Sequence, residues 1–376
     1  MNKEPKVNPN SLDYQNPIRF TEDDVAEDHR WTYIQRNMNF EKDLNLKGKY
    51  CFHPFNTITI DKFGDVYVCA CQAWMPISVG KIWDFETLDD CVRNPRARSL
   101  QSSILDGSYR YCDNNSCSLI KNKRDLKTKI LHKPDRVLWI NFAIDPSCNL
   151  TCPSCRKDFI FINQGEEYDR NLKIVEHCIR LIENHDGYLR FSISNDGDPF
   201  ASLIYRKFLS DLKINNKKTE IEIITNGQLL KDHWAKLEKI HNNISKVKIS
   251  FDAGSEEIYN ITRKGGNWNK LLESVRFIVE WKKQNNSKIV IESAFVVQTQ
   301  NYKDILKYIN ITNDLDINII NFQRIDDWGT FGTEFKKHKI WDSSHPEHNE
   351  FLSILKDPII SNPRIRWNNL SNLIKG

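Results

Sequence analysis

Residues 137–156 read VLWINFAIDPSCNLTCPSCR. The first eight, apolar and rich in β-branched and aromatic side chains, have the composition of a buried strand. The strand runs straight into a loop carrying Cys148, Cys152 and Cys155. Downstream, the same alternation of short apolar runs and helical patterns repeats. Leu172, Val175, Ile179 and Ile182 mark one face of a helix over 171–184, and YLRFSIS (188–194) follows. Then come a helix near 203–213, TEIEIITNG (219–227), a helix near 229–240 and KVKISFDAG (246–254). A helix near 267–284, KIVIESAFVVQ (288–298), a helix near 302–313 and INIINFQRI (317–325) complete the series. Six βα-type strands with buried, β-branched residues imply a parallel sheet with helices outside, arranged as a partial (β/α)6, TIM-like barrel over 134–330. Chemistry in such folds sits at the C-terminal ends of the strands, where the three cysteines lie.

Composition narrows the class. The chain of 376 residues is 39% hydrophobic and 28% charged, the balance of a soluble globular protein. A net charge of +4 is too weak to imply a nucleic-acid partner. No apolar run has the length of a membrane span, and MNKEPKVNPN at the start lacks the apolar core of a signal peptide. The expected location is the cytoplasm, without a membrane partner. Ten cysteines are many for a reducing compartment, and seven of them fall in two groups, so metal binding is the expected use. No cysteine or histidine lies close enough in sequence to the 148–155 triplet to complete a four-ligand zinc site.

The C-x3-C-x2-C spacing of Cys148, Cys152 and Cys155 resembles the signature of radical S-adenosylmethionine (SAM) enzymes. Three thiolates on a 4Fe–4S cluster leave one iron open for SAM. Other motifs match in order. Asp196, Gly197, Asp198 and Pro199 stand where the family has a Gly-Gly-Glu-Pro-like turn that receives the SAM ammonium. Thr225, Asn226 and Gly227 form the Thr-Asn-Gly that ends the third strand. Ser250 and Asp252 occupy the Ser-x-Asp-Gly-like turn near the ribose, within ISFDAGSEEIYNITRKG. Ser154 departs from the aromatic residue usual before the third cysteine, so the expected adenine contact is either looser or supplied elsewhere, by Val296 or Val297. Asp198 replaces the usual glutamate.

Upstream, Cys51 and Cys69 flank the hairpin pattern NTITIDKFGDVYVC, and YCDNNSC adds Cys112 and Cys117. This segment resembles a SPASM/Twitch module, here ahead of the barrel, in which the four cysteines hold an auxiliary 4Fe–4S cluster. A zinc ribbon suits four spaced thiolates too. Cys71 has three open readings: a substitute for Cys69, a cap on a second site, or a buried thiol. Cys91 and Cys178 read as core residues, and His53 and Trp74 as packing or as lining of the auxiliary centre. The expected organisation is a polar leader (1–46), the module with a basic linker (47–133), the barrel (134–330) and a tail (331–376).

The resemblance implies reductive SAM cleavage, hydrogen abstraction from a substrate, and a flavodoxin- or ferredoxin-type reductant. KNKRDLKTK (121–129) is a candidate docking segment for it. A peptide or protein is the favoured substrate; oxidation or epimerisation of a sugar or other small metabolite is the alternative. Arg324, Asp326, Asp327 and Trp328 read as substrate contacts or as a capping loop. The non-enzymatic alternative is a zinc-stapled α/β binding protein.

Overall fold

The structure is a computed structural model and describes residues 17–25, 44–114, 117, 119–120, 137–193 and 196–374. The basic segment 121–129, most of the leader and the boundary expected at 133–134 lie outside the described residues.

The chain forms two compact units, each discontinuous in sequence. One comprises Met1–Asp145, Gln164–Asp196 and Asp211–Glu220; the other comprises Pro146–Asn163, Gly197–Ser210 and Ile221–Gly376. In the first, β1 (Thr57–Asp61) and β2 (Asp65–Tyr67) form the expected antiparallel hairpin, whose turn places Gly64 at φ +75°. β3 (Gly80–Lys81) pairs with β2, while β1 pairs in parallel with β4 (Leu138–Ala143), and β4 with β5 (Leu189–Ile193). The hairpin therefore extends the sheet of the βα units instead of standing apart from it. Helices α1 (His53–Asn56), α2 (Leu88–Arg93), α3 (Pro95–Leu105) and α4 (Glu166–Glu183) complete this unit. Asn94 caps α3 by accepting from the Ala97 amide, and Thr87 caps α2 through Asp90.

The buried stripe of α4 is Asn171, Ile174, Val175, Cys178, Leu181 and Ile182. It is rotated from the expected face, leaving Leu172 and Ile179 half-buried. Cys91 and Cys178 are core residues, as expected.

The second unit carries most of β6 (Thr219–Thr225), then β7 (Ile244–Ser250), β8 (Val290–Val297), β9 (Ile319–Arg324) and β10 (Ile365–Arg366), each parallel to the next. Its helices are α5 (Leu203–Asp211), α6 (Leu230–Trp234), α7 (Glu256–Thr262), α8 (Trp268–Gln284), α9 (Ile305–Asp314) and α10 (His348–Ile354). The tail supplies β10, and Trp367 stacks on Phe322 at 4.3 Å. The fold is α/β with a parallel-strand sheet, as expected.

The β-branched residues of these strands fill one face only. Ile221, Ile223, Val247, Ile249 and Ile291 are buried on one face, whereas Glu222, Lys246, Lys248 and Glu292 share the other. Lys246 pairs with Glu222 (3.2 Å) and Glu292 (3.4 Å), and Lys248 with Glu292 (3.3 Å). A ladder of alternating charge satisfies groups that an all-apolar face would leave unpaired.

Candidate functional site

The loop after β4 folds on itself. The Cys148 amide donates to the Ile160 carbonyl (2.9 Å), the Ile162 amide to Ser147 Oγ (2.9 Å), and Arg156 Nη1 to the Pro146 carbonyl (2.6 Å). Inside it, the Cys155 and Arg156 amides both donate to the Cys152 carbonyl, so one turn brings Cys152 and Cys155 side by side. Cys148 and Cys152 are buried, Cys155 is exposed, and all three are free thiols.

Each sulfur meets a donor. Cys148 Sγ accepts from the Leu150 amide (3.4 Å) and Asn226 Nδ2 (3.7 Å), Cys152 Sγ from Arg263 Nη1 (3.8 Å), and Cys155 Sγ from Arg156 Nη2 (3.7 Å). Burial, reinforced by the Asp198 charge, pushes the Cys148 thiol up to about 12. Burial also raises Cys152, against the opposing charge of Arg263. Such thiols become thiolates once a cationic centre arrives. Three unpaired sulfurs on one closed loop, each already offered a hydrogen bond, fit a cluster that takes three protein thiolates.

The loop after β5 is built around Asp198. Its Oδ1 accepts from the Phe200 (3.0 Å) and Ala201 (3.2 Å) amides, and its Oδ2 from Thr225 Oγ1 (2.8 Å) and the Asn226 amide (2.7 Å). Its own amide donates to the Ser147 carbonyl (2.9 Å). Asp198 thus ties three loops together, its amide reaching the loop after β4 and its carboxylate the loop after β6, with both oxygens occupied. Burial raises its pKa and the four donors oppose that rise. Gly197 adopts φ +90°, Pro199 is buried and Asp196 half-buried.

Asn226 also joins Asn149 Oδ1 (2.9 Å). Gly227 adopts φ +80°, and a Cβ there would stand 2.8 Å from Leu271 Cδ1. Only glycine fits this turn.

After β7, Asp252 is held at φ +56°, with Oδ1 accepting from the Val296 amide (2.7 Å) and Oδ2 paired with Arg263 Nη2 (2.8 Å). Arg263 therefore links Asp252 to Cys152. Ser250 and Val296 are half-buried on one face of neighbouring strands, whereas Val297 turns into the core. Of the two valines, Val296 has the open position. Arg263 and Asn149 are the functional candidates that sequence reasoning missed; the signal for Arg263 is an arginine ending α7 just before Gly265.

Arg324 ends β9, and Asp326, Asp327 and Trp328 follow it, all three exposed. Asp327 Oδ1 accepts from the Gly329 amide (2.9 Å), which is turn chemistry.

In the other unit, Cys51, Cys69, Cys112 and Cys117 line one pocket together with His53 and Trp74. None of the four forms a disulfide. The Cys51 amide donates to Tyr109 Oη (3.0 Å), the Cys112 amide to the Tyr109 carbonyl (3.0 Å), and the Cys117 amide to the Asp113 carbonyl (3.0 Å). Burial pushes Cys51 up to about 12 and raises Cys69 and Cys112, each further raised by its neighbouring thiols. His53 is pulled down to about 4 by burial. Cys71 is half-buried and is not among the lining residues. Among the described residues, no three histidine, cysteine or acidic side chains converge on a single metal ion.

Residues 144–310 match the radical SAM superfamily. The GTP 3',8-cyclase of Limosilactobacillus fermentum is 23% identical over 187 residues, covering 48% of this chain and 52% of that protein. The GTP 3',8-cyclase of Clostridium botulinum is 24% identical over 144 residues, covering 37% and 43%. The chain thus spans about half the length of the curated relatives it matches. Among solved structures, Streptococcus suis SuiB bound to precursor peptide SuiA aligns at a TM-score of 0.41 and 16% identity, over 66% of this chain and 50% of that one. The enzyme anSMEcpe with bound AdoMet aligns at 0.37 and 21%, over 51% and 50%.

Over residues 144–310 the chain carries a radical SAM domain, which is an enzyme domain. That class implies a 4Fe–4S cluster, S-adenosylmethionine and an electron donor. The non-enzymatic zinc reading falls with this match. No helix among the described residues is long and apolar enough to cross a membrane.

Proposed function

We propose that Cys148, Cys152 and Cys155 hold the SAM-binding cluster and that Cys51, Cys69, Cys112 and Cys117 hold an auxiliary cluster, in an enzyme that abstracts hydrogen from a peptide or protein. The lining of one pocket by Cys51, Cys69, Cys112 and Cys117 supports the auxiliary-cluster part of this reading. When bound and reduced, the cluster and SAM supply a 5'-deoxyadenosyl radical. The chain's own residues hold and shape. Asp198 fixes the loops after β4, β5 and β6, leaving backbone groups of 197–199 to face the SAM ammonium. Asn226 and Arg263 donate to Cys148 and Cys152, which favours thiolate over thiol. Asp252 orders the turn in which Ser250 and Val296 flank the nucleoside. Peptide substrates rest on analogy with enzymes that carry such modules.

The two GTP 3',8-cyclase relatives favour a second reading, a nucleotide or other small metabolite as substrate. In both readings a flavodoxin- or ferredoxin-type protein supplies the electron.

Protein reconstituted without oxygen should bind about eight irons per chain and release 5'-deoxyadenosine with dithionite and SAM. Cys148→Ala should abolish that release, while Cys112→Ala should retain it at about four irons and lose substrate turnover. Loss of cleavage in both variants would overturn the division of roles, and zinc in place of iron at the second site would overturn the auxiliary cluster.

A further inference from the structure

A cleft of about 330 Å³ opens where α5 meets α6 and the 3-10 helix Ala235–Asn243. Arg206, Lys207, His233 and Lys236 line it, and among the described residues lining it none is acidic. Asp232, next in sequence, is engaged with Lys270 at 3.0 Å. Arg206 Nη1 stands 3.4 Å from His233 Nε2, and Lys236 Nζ stands 3.4 Å from His233 Nδ1. Both cations are pure donors, whereas a neutral imidazole accepts through one nitrogen only. One of these contacts therefore sets donor against donor. In addition, Arg206 Nε is buried without a hydrogen-bond partner. An unpaired Nε on a half-buried arginine, beside two further basic groups, is an arrangement that an anion relieves.

We infer that this cleft binds a small phosphate-bearing anion, gripped by Arg206, His233 and Lys236. The concave shape favours a small ligand over the flatter face of an acidic protein, and its volume lies within the range of ligand pockets. Leu203 offers half-buried apolar surface to an organic moiety attached to the phosphate, with buried Phe200 and Leu237 behind it. Arg206, His233 and Lys236 are not among the residues assigned to SAM, and the cleft meets that machinery only at Phe200, whose amide donates to Asp198.

His233 gives a second signature. Burial first, then Arg206, Lys236 and Lys270, hold its pKa below the usual imidazole value, against the opposing charge of Asp232. An anion in the cleft reverses that balance, so binding near pH 6.5 takes up protons.

Titration calorimetry of the full chain with pyrophosphate should show saturable one-to-one binding. Arg206→Gln with Lys236→Gln should weaken it at least tenfold without moving the unfolding midpoint, and the exposed Lys236→Gln alone should weaken it measurably. The heat should vary with buffer ionisation enthalpy, reporting proton uptake, and His233→Gln should remove that variation. ADP binding more tightly than pyrophosphate assigns the apolar surface to an organic phosphate; equal binding assigns the site to phosphate alone. Absence of saturable binding, or unchanged affinity in the double variant, overturns the proposal. So does capture of an acidic protein through these residues that pyrophosphate fails to displace.

Discussion

Arg263 shows what one side chain does for the site. It pairs with buried Asp252 and donates to Cys152. Arg263→Gln leaves the Asp252 carboxylate without its counter-ion, a loss of about 3–5 kcal/mol for a buried pair. A denaturant midpoint within error of the parent chain would show that Asp252 is solvated. Asp61 supplies a pH-dependent case. It accepts from the Phe63 and Asp65 amides, and burial, then the Asp65 charge, pushes it up to about 6. Over roughly pH 4–6 the folded chain keeps a proton that the unfolded chain has released, so this group's contribution declines as pH rises through that window. Asp61→Asn keeps an oxygen for the Phe63 and Asp65 amides and removes the charge, but puts an amide nitrogen where Oδ2 accepts from Tyr67 Oη (3.3 Å) and Gln72 Nε2 (3.4 Å). It should flatten the pH profile between about pH 4 and 6; a parent-like pH profile in the variant would contradict this. The cysteine triplet was legible because its members are local. Arg263 was not, because its partners Cys152 and Asp252 lie 111 residues away in sequence and across a helix, respectively.

Elements were legible where their signals are local. The six βα strands follow from apolar runs bounded by turn residues, and the hairpin from its Gly64 turn. The parallel pairing of β1 with β4 was not legible, since no local signal specifies which strand a hairpin edge will meet. The charged face of β6, β7 and β8 was visible as the alternation in TEIEIIT, KVKIS and VIES, but the β-branched residues between the charges outweighed it. At the turn after β6, Gly227→Ala meets both an unfavourable φ and a 2.8 Å contact with Leu271. It should cost about 1–3 kcal/mol by chemical denaturation. A neutral result would mean that α8 recedes to make room.

At the scale of the whole molecule, the four-cysteine pocket draws together residues 51 to 117, most of the first unit's amino-terminal half. A cluster bound there to the folded chain and not to the unfolded one stabilises by mass action. Removing iron under anaerobic chelation should lower the melting temperature of the parent chain. The loss should be smaller in Cys112→Ala, which has already forfeited that centre; equal losses in the two proteins would assign the stabilisation to the 148–155 loop.

That loop has an implication for manufacture inside a cell. Its closure rests on Cys148–Ile160, Ser147–Ile162 and Pro146–Arg156 bonds, all within the polypeptide. Cys155 stands at the surface while its two companions lie beneath. If the proposed cluster sits in this loop, Cys155 is the one ligand that a cluster donor could reach from solvent, and the other two would be met only beneath it.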